Sequence, residues 1–179
     1  MALQATPYKV SLDISDVDRG VYESAKMTVA RHPSETEQRL VSRIIAFALF
    51  YHEHLAFGRG LSDVDEAALW QISLDGQIEH WIDVGQPDAD RMTKSSRKAP
   101  KATVLAYGNV RIWKEKVLSK VAHLDNLSVI ALPEEAHAKL ASMTSRNMHW
   151  GVMLTDGVLY VSDADEQVEL VLDVLQGGI

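Results

Sequence analysis

Residues 65–98, DEAALWQISLDGQIEHWIDVGQPDADRMTKSSRK, decide how the chain is read. LWQISL and QIEHWIDV flank Asp75-Gly76, a pair suited to a two-residue turn with positive φ, so the segment predicts a β-hairpin. That turn sets Leu74 against Gln77, Ile72 against Glu79, Trp70 against Trp81 and Ala68 against Asp83. Side chains alternate between the faces of a strand, so Glu66, Ala68, Trp70, Trp81 and Asp83 share one face, and Asp65 falls on the other unless a bulge turns it. Glu66 then lies diagonal to Asp83 at the open end, within roughly 7–8 Å. Two carboxylates so placed repel unless a cation, a proton or a basic side chain stands between them. Beyond Val84-Gly85-Gln86-Pro87, Asp88 is placed to cap a helix to about Ala99 that carries Arg91, Lys94 and Lys98 along one stripe. KATVLAY re-enters the sheet beside the hairpin, which makes the helix a crossover between parallel strands.

Working outward, YKVSLDIS (8–15) and VYESAKMTVA (21–30) predict an N-terminal hairpin. Ser34-Glu35-Thr36-Glu37 has the capping-box pattern, with Ser34 as N-cap, and predicts a helix from about 35 to about 54. Its apolar stripe, Leu40, Val41, Ile44, Ile45 and Ala48, places Glu37 at the mouth of the inward face, as a cap, a ligand or both. The Gly-rich connector 55–62 matches no phosphate loop. The chain also lacks G-x-G-x-x-G and G-x-S-x-G, so Walker-type nucleotide hydrolysis, Rossmann cofactor binding and nucleophile-elbow hydrolysis have no sequence support. After Gly108-Asn109, the positions Val110, Trp113, Val117, Val121 and Leu124 predict another core helix. LSVIAL (127–132) reads as a buried strand, 133–143 as a short helix, and WGVMLTDGVLYVS (150–162) as a C-terminal hairpin. Residues 166–175 are left as strand or helix.

These 179 residues, 46% hydrophobic and 24% charged, fit one globular α/β domain. The longest apolar run, Ile44 to Phe50, is too short to span a bilayer, and no secretory signal is evident, so the expected location is cytoplasmic. With no cysteine, thiolate metal sites and thiol catalysis are excluded. His52, His54, His80, His123, His137 and His149 show no zinc-ligand spacing. The net charge of −7 is unevenly spread: nine of the 18 basic residues and only the acid Glu115 lie between Arg91 and Lys120. That segment reads either as solvated helix faces or as a basic face for a phosphate-bearing partner such as nucleic acid.

The strings GLSDVDEAALW, GQIEHWIDVGQPDADR and NLSVIALP resemble the YaeQ family of small, largely uncharacterised bacterial proteins, and the likeness runs over essentially the whole chain. Its most distinctive element is WIDVGQPD. The resemblance implies a variant of the restriction-endonuclease-like PD-(D/E)XK nuclease fold, a mixed central sheet with flanking helices and a hairpin at each end. It also implies magnesium as cofactor, with metal ligands drawn from Glu37, Asp65 or Glu66, Asp83 and the amide oxygen of Gln86. The superfamily lysine would stand two residues after Asp83, where this chain has Gly85, so a catalytic cation would have to come from Lys94 or Lys98. The implied function is a magnesium-dependent, nuclease-like phosphodiesterase in which Glu37, Glu66, Asp83, Lys94 and Lys98 carry the chemistry. The alternative is a noncatalytic binding or regulatory protein that retains the fold. A monomer without membrane association is the expected state, and a protein partner is left open.

Overall fold

A computed structural model describes residues 4–59 and 63–179, so the last part of the predicted connector, 60–62, lies outside the described residues. The fold is mixed α/β, but it is built on two mixed sheets rather than one central sheet with appended hairpins. The N-terminal hairpin, β1 (Thr6–Asp16) and β2 (Val21–Arg31), and the C-terminal hairpin, β8 (Asn147–Thr155) and β9 (Val158–Ser162), join through parallel pairing of β1 with β8. With β10 (Gln167–Val171) they form a sheet in the order β10-β9-β8-β1-β2.

The second sheet has the order β11-β7-β6-β5-β4-β3. It contains β3 (Leu55–Phe57), the central hairpin strands β4 (Leu69–Ile72) and β5 (Ile78–Val84), then β6 (Lys101–Ala106), β7 (Leu127–Ala131) and β11 (Asp173–Gln176). β5, β6 and β7 run parallel, joined by helical crossovers as expected for parallel neighbours. The segment that sequence periodicity could not assign is therefore two strands, one given to each sheet, with Leu172 between them.

Helix α1 (Glu37–Leu49) lies between the sheets. Every residue from Leu40 to Phe50 is buried, a wider face than the predicted stripe, because one sheet packs on each side. One core joins α1 to the inner faces of both sheets and to α5 (Glu134–Ser142). A second core lies beneath α2 (Ala89–Lys98) on the other face of the parallel sheet. It is completed by a helical run made of α3 (Arg111–Trp113), a π-helical turn (Lys114–Leu118) and α4 (Ser119–Val121). No helix among the described residues is long and apolar enough to cross a membrane.

Two local expectations are corrected. The N-cap of α1 is Thr36, whose hydroxyl accepts from the Arg39 amide at 3.2 Å, and Ser34 instead bonds His32. Glu37 is consequently the first helical residue, exposed beyond the end of the core. The inward acid is Glu35, 2% exposed and held by Arg43 through Nε (2.9 Å) and Nη2 (2.5 Å) and by Arg39. In the central hairpin, Trp70 faces Trp81 as predicted, but β4 begins only at Leu69, so the expected Ala68–Asp83 pair does not form, and a bulge sets Ile72 against Ile78 with the turn spanning residues 73–77.

Candidate functional site

Asp83 occupies the last full turn of the pleat before β5 ends at Val84, and its side chain faces α2. It is 6% exposed, and its charge is matched by one residue: Arg91 donates from Nε to Oδ2 at 3.0 Å and from Nη2 to Oδ1 at 3.1 Å. Ser95 Oγ adds a bond to Oδ2 at 3.2 Å. The sequence places these groups simply. Asp88 caps α2 by accepting from the Arg91 amide at 2.7 Å, which fixes Arg91 in the first turn, and Ser95 follows four residues later on the same stripe. Arg91 also donates to the carbonyls of Val64 and Glu66 and lies 5.4 Å from the Trp81 ring centroid, a cation–π distance. It thereby ties the 63–66 turn to β5.

Around this pair lies a cleft of about 420 Å³, lined by Arg39, Asp63, Val64, Glu66, Ala68, Asp83, Val84, Gln86, Pro87 and Arg91. The fold thus brings together Glu66, Asp83 and Gln86 from the expected site. Glu66 reaches it from a turn, since β4 begins only at Leu69, and its Oε2 accepts from the Arg59 amide at 3.0 Å. Gln86 donates its amide to the carbonyls of Tyr107 (2.8 Å) and Asn109 (3.3 Å), pinning the β5–α2 connection to the end of β6.

The remaining expected residues lie elsewhere. Asp65 is exposed in the turn, its amide bonded to Asp63 Oδ1 at 2.9 Å. Glu37 is outside the cleft with its carboxylate 3.9 Å from Arg31, because the helix begins later than the capping-box pattern suggested. Lys94 and Lys98 are exposed on α2 and line no part of the cleft. Gly85 has φ 101°, a conformation that disfavours any side chain, at the position where the nuclease resemblance led to the expectation of a lysine. Sequence reading missed Arg39, Asp63 and Ser95 and placed Arg91 only in the helix stripe; the legible signal was the cap at Asp88 followed by Arg91 and Ser95 at i+3 and i+7.

A magnesium ion fits this arrangement poorly. Hard cations are held by uncompensated oxygens, whereas both Asp83 oxygens already accept from a guanidinium. No group of three or more metal-ligating side chains occurs among the described residues.

The family model described as YaeQ protein matches residues 1–172. The chain belongs to the YaeQ family. It is 36% identical to "Uncharacterized protein YaeQ" of Salmonella typhi and 35% identical to that of Escherichia coli K12, each over 98% of both chains. The crystal structure of YaeQ protein from Pseudomonas syringae superposes with a TM-score of 0.94 at 49% identity over 97% of both chains. The YaeQ structure from Xanthomonas axonopodis pv. citri gives 0.93 at 39% identity, covering 97% of this chain and 99% of that one. The whole two-sheet fold is therefore shared within the YaeQ family.

Proposed function

We propose that this YaeQ-family protein binds the phosphodiester backbone of nucleic acid without cleaving it. In this reading a nuclease-like layout persists around the end of β5, while the position of its catalytic ion is held by Arg91. The observation that carries the binding half is a basic helical face. α2 and the following helical run pack side by side and expose Lys94, Arg97, Lys98, Arg111, Lys114, Lys116 and Lys120, none of them in an ion pair within 4.0 Å among the described residues. Clustered cations without acidic partners concentrate phosphate chains and release their counterions on binding. The overall −7 does not cancel this patch on α2, where Lys94, Arg97 and Lys98 carry the reading, whereas Arg111 and Lys114 share a hollow with Glu134 and Asp173.

The noncatalytic half is supported by the Arg91 clamp and by the backbone at Gly85. Neither Lys94 nor Lys98 lines the cleft, and the two cations that do among the described residues, Arg39 and Arg91, are engaged by Glu35 and Asp83. Binding is checked by fluorescence anisotropy of labelled 20-mer oligonucleotides in EDTA. The expected result is saturable binding whose logarithmic salt dependence flattens when Lys94, Arg97 and Lys98 are changed together to Gln. An unchanged salt slope, or no binding at low salt, overturns the proposal.

A further inference from the structure

The end of α1 away from the cleft opens onto a second, more enclosed hollow of about 240 Å³. α1 has 13 residues and is therefore about 20 Å long, so the two sites are separate. Strand register builds this one. Gln71, His80 and Lys101 are direct neighbours across β4, β5 and β6, so all three side chains project from the face that packs on α1. His80 packs edge-on against Phe50, centroids 5.5 Å apart, with Nε2 2.7 Å from Thr103 Oγ1. Arg19 arrives from the β1–β2 turn, where Nε bonds Asp16 Oδ2 at 2.6 Å and Nη1 bonds the Tyr51 carbonyl at 3.1 Å.

Asp16 answers Arg19, but nothing answers Lys101. No carboxylate stands within ion-pair distance of it among the described residues, and the acid in the same wall, Glu79, accepts from Gln71 Nε2 at 2.6 Å. Although Lys101 reaches solvent, crowding by protein lowers its pKa and the like charge of Arg19 lowers it further. Burial pushes His80 down to about 3, with Lys101 and Arg19 acting in the same direction. Tyr51 and His52, just past the end of α1, are the other titratable groups on that side of the hollow. The hollow thus holds two cations, one of them with no carboxylate within 4.0 Å among the described residues, in a wall shared with Glu79 and Ile179 and beside an imidazole kept neutral.

We propose that this hollow binds a small oxyanion, a phosphate group either free or carried on a small molecule, between Lys101 and Arg19. Arg19 keeps N–H donors beyond its bonds to Asp16 and Tyr51, and an ammonium offers three. The volume suits a phosphate with a few attached atoms and is below that of sites for larger ligands. The inference does not depend on the nucleic-acid reading, since none of these residues belongs to the cleft or to the exposed face of α2.

The test is calorimetric titration of the full chain with inorganic phosphate and with glycerol phosphate at constant ionic strength, each paired with a melting curve. Saturable binding and a raised Tm are expected, with affinity falling at least about tenfold in Lys101→Met and unchanged in Lys139→Met, an exposed lysine of α5. Lys101→Arg retains binding, and Lys101→Met without phosphate melts no lower than the wild type, because it removes an unanswered charge. Tighter binding of the monoester assigns a phosphorylated small molecule, and equal binding assigns the ion; both support the site. Equal phosphate response in wild type and Lys101→Met, or no saturable heat with either ligand, overturns it.

Discussion

Arg91 does for Asp83 what a bound cation would otherwise do: it compensates a carboxylate that the fold has removed from water. Removing one partner of such a pair leaves the other charged and buried, so Arg91→Ala is expected to lower unfolding free energy by about 2–4 kcal/mol, read from urea denaturation. The same substitution strips the guanidinium from Asp83, so added magnesium should raise the Tm of Arg91→Ala and leave that of the wild type unchanged. A magnesium-stabilised wild type and an indifferent variant would argue that Arg91 merely flanks an ion site. Most of this was legible at residue level. The hairpin pattern located Asp83 and the spacing to Asp88 located α2, but Glu66 comes from a turn rather than the strand the pattern gave it, and periodicity cannot tell which basic side chain folds back onto an acid. Gly85 stood out only against the lysine that the nuclease resemblance led one to expect, while its φ of 101°, which disfavours any side chain there, is a property of the backbone.

At the scale of the element, α1 is held at its start by Glu35 rather than by the residues its sequence pattern nominated. Both Ser34 and Thr36 satisfy cap chemistry, and tertiary contacts chose between them: Glu35 turns inward to meet Arg43, which itself donates to the Ala30 carbonyl at 2.9 Å and so ties α1 to β2. Burial lowers the Arg43 pKa, and the neighbouring Glu35 opposes that shift. Glu35→Gln leaves two guanidinium groups facing a neutral amide. It should cost about 3 kcal/mol in chemical denaturation, whereas Glu37→Gln, at the exposed start of the helix, should cost less than about 0.5 kcal/mol. Comparable losses from the two variants would contradict the assignment. The reach of α1 was equally hard to read from sequence. Its all-round burial follows from having a sheet on each side, and a periodic stripe announces only one of them.

Across the whole molecule, most strands were recognisable one by one, but β3 lay in a stretch read as a connector, β10 and β11 in one left unassigned, and the division into two layers was not legible. The parallel pairing of β1 with β8 joins residues more than 130 positions apart, and no local pattern encodes that partnership. The layering leaves a pH signature. His80 and His137 lie inside it with lowered pKa values, chiefly through burial, His80 at about 3 against 6.5 in the unfolded chain. Below pH 6.5 the unfolded state binds protons that the folded state refuses, so stability is full above that value and declines as pH falls towards 3. The limiting slope is about 1.4 kcal/mol per pH unit for each histidine that stays neutral, and urea titrations at pH 7, 6 and 5 should show it partly removed in His80→Gln. Charge is layered too, with the basic helical face on one side of the parallel sheet and the acid-lined cleft at its edge. The most direct test of binding without cleavage measures both on the same samples: labelled DNA and RNA oligonucleotides are incubated with the protein in magnesium, manganese or EDTA, read by anisotropy, then resolved on a denaturing gel. The account predicts salt-sensitive binding that is indifferent to EDTA, with every oligonucleotide at full length. Metal-dependent fragments that disappear with Asp83→Asn would contradict it.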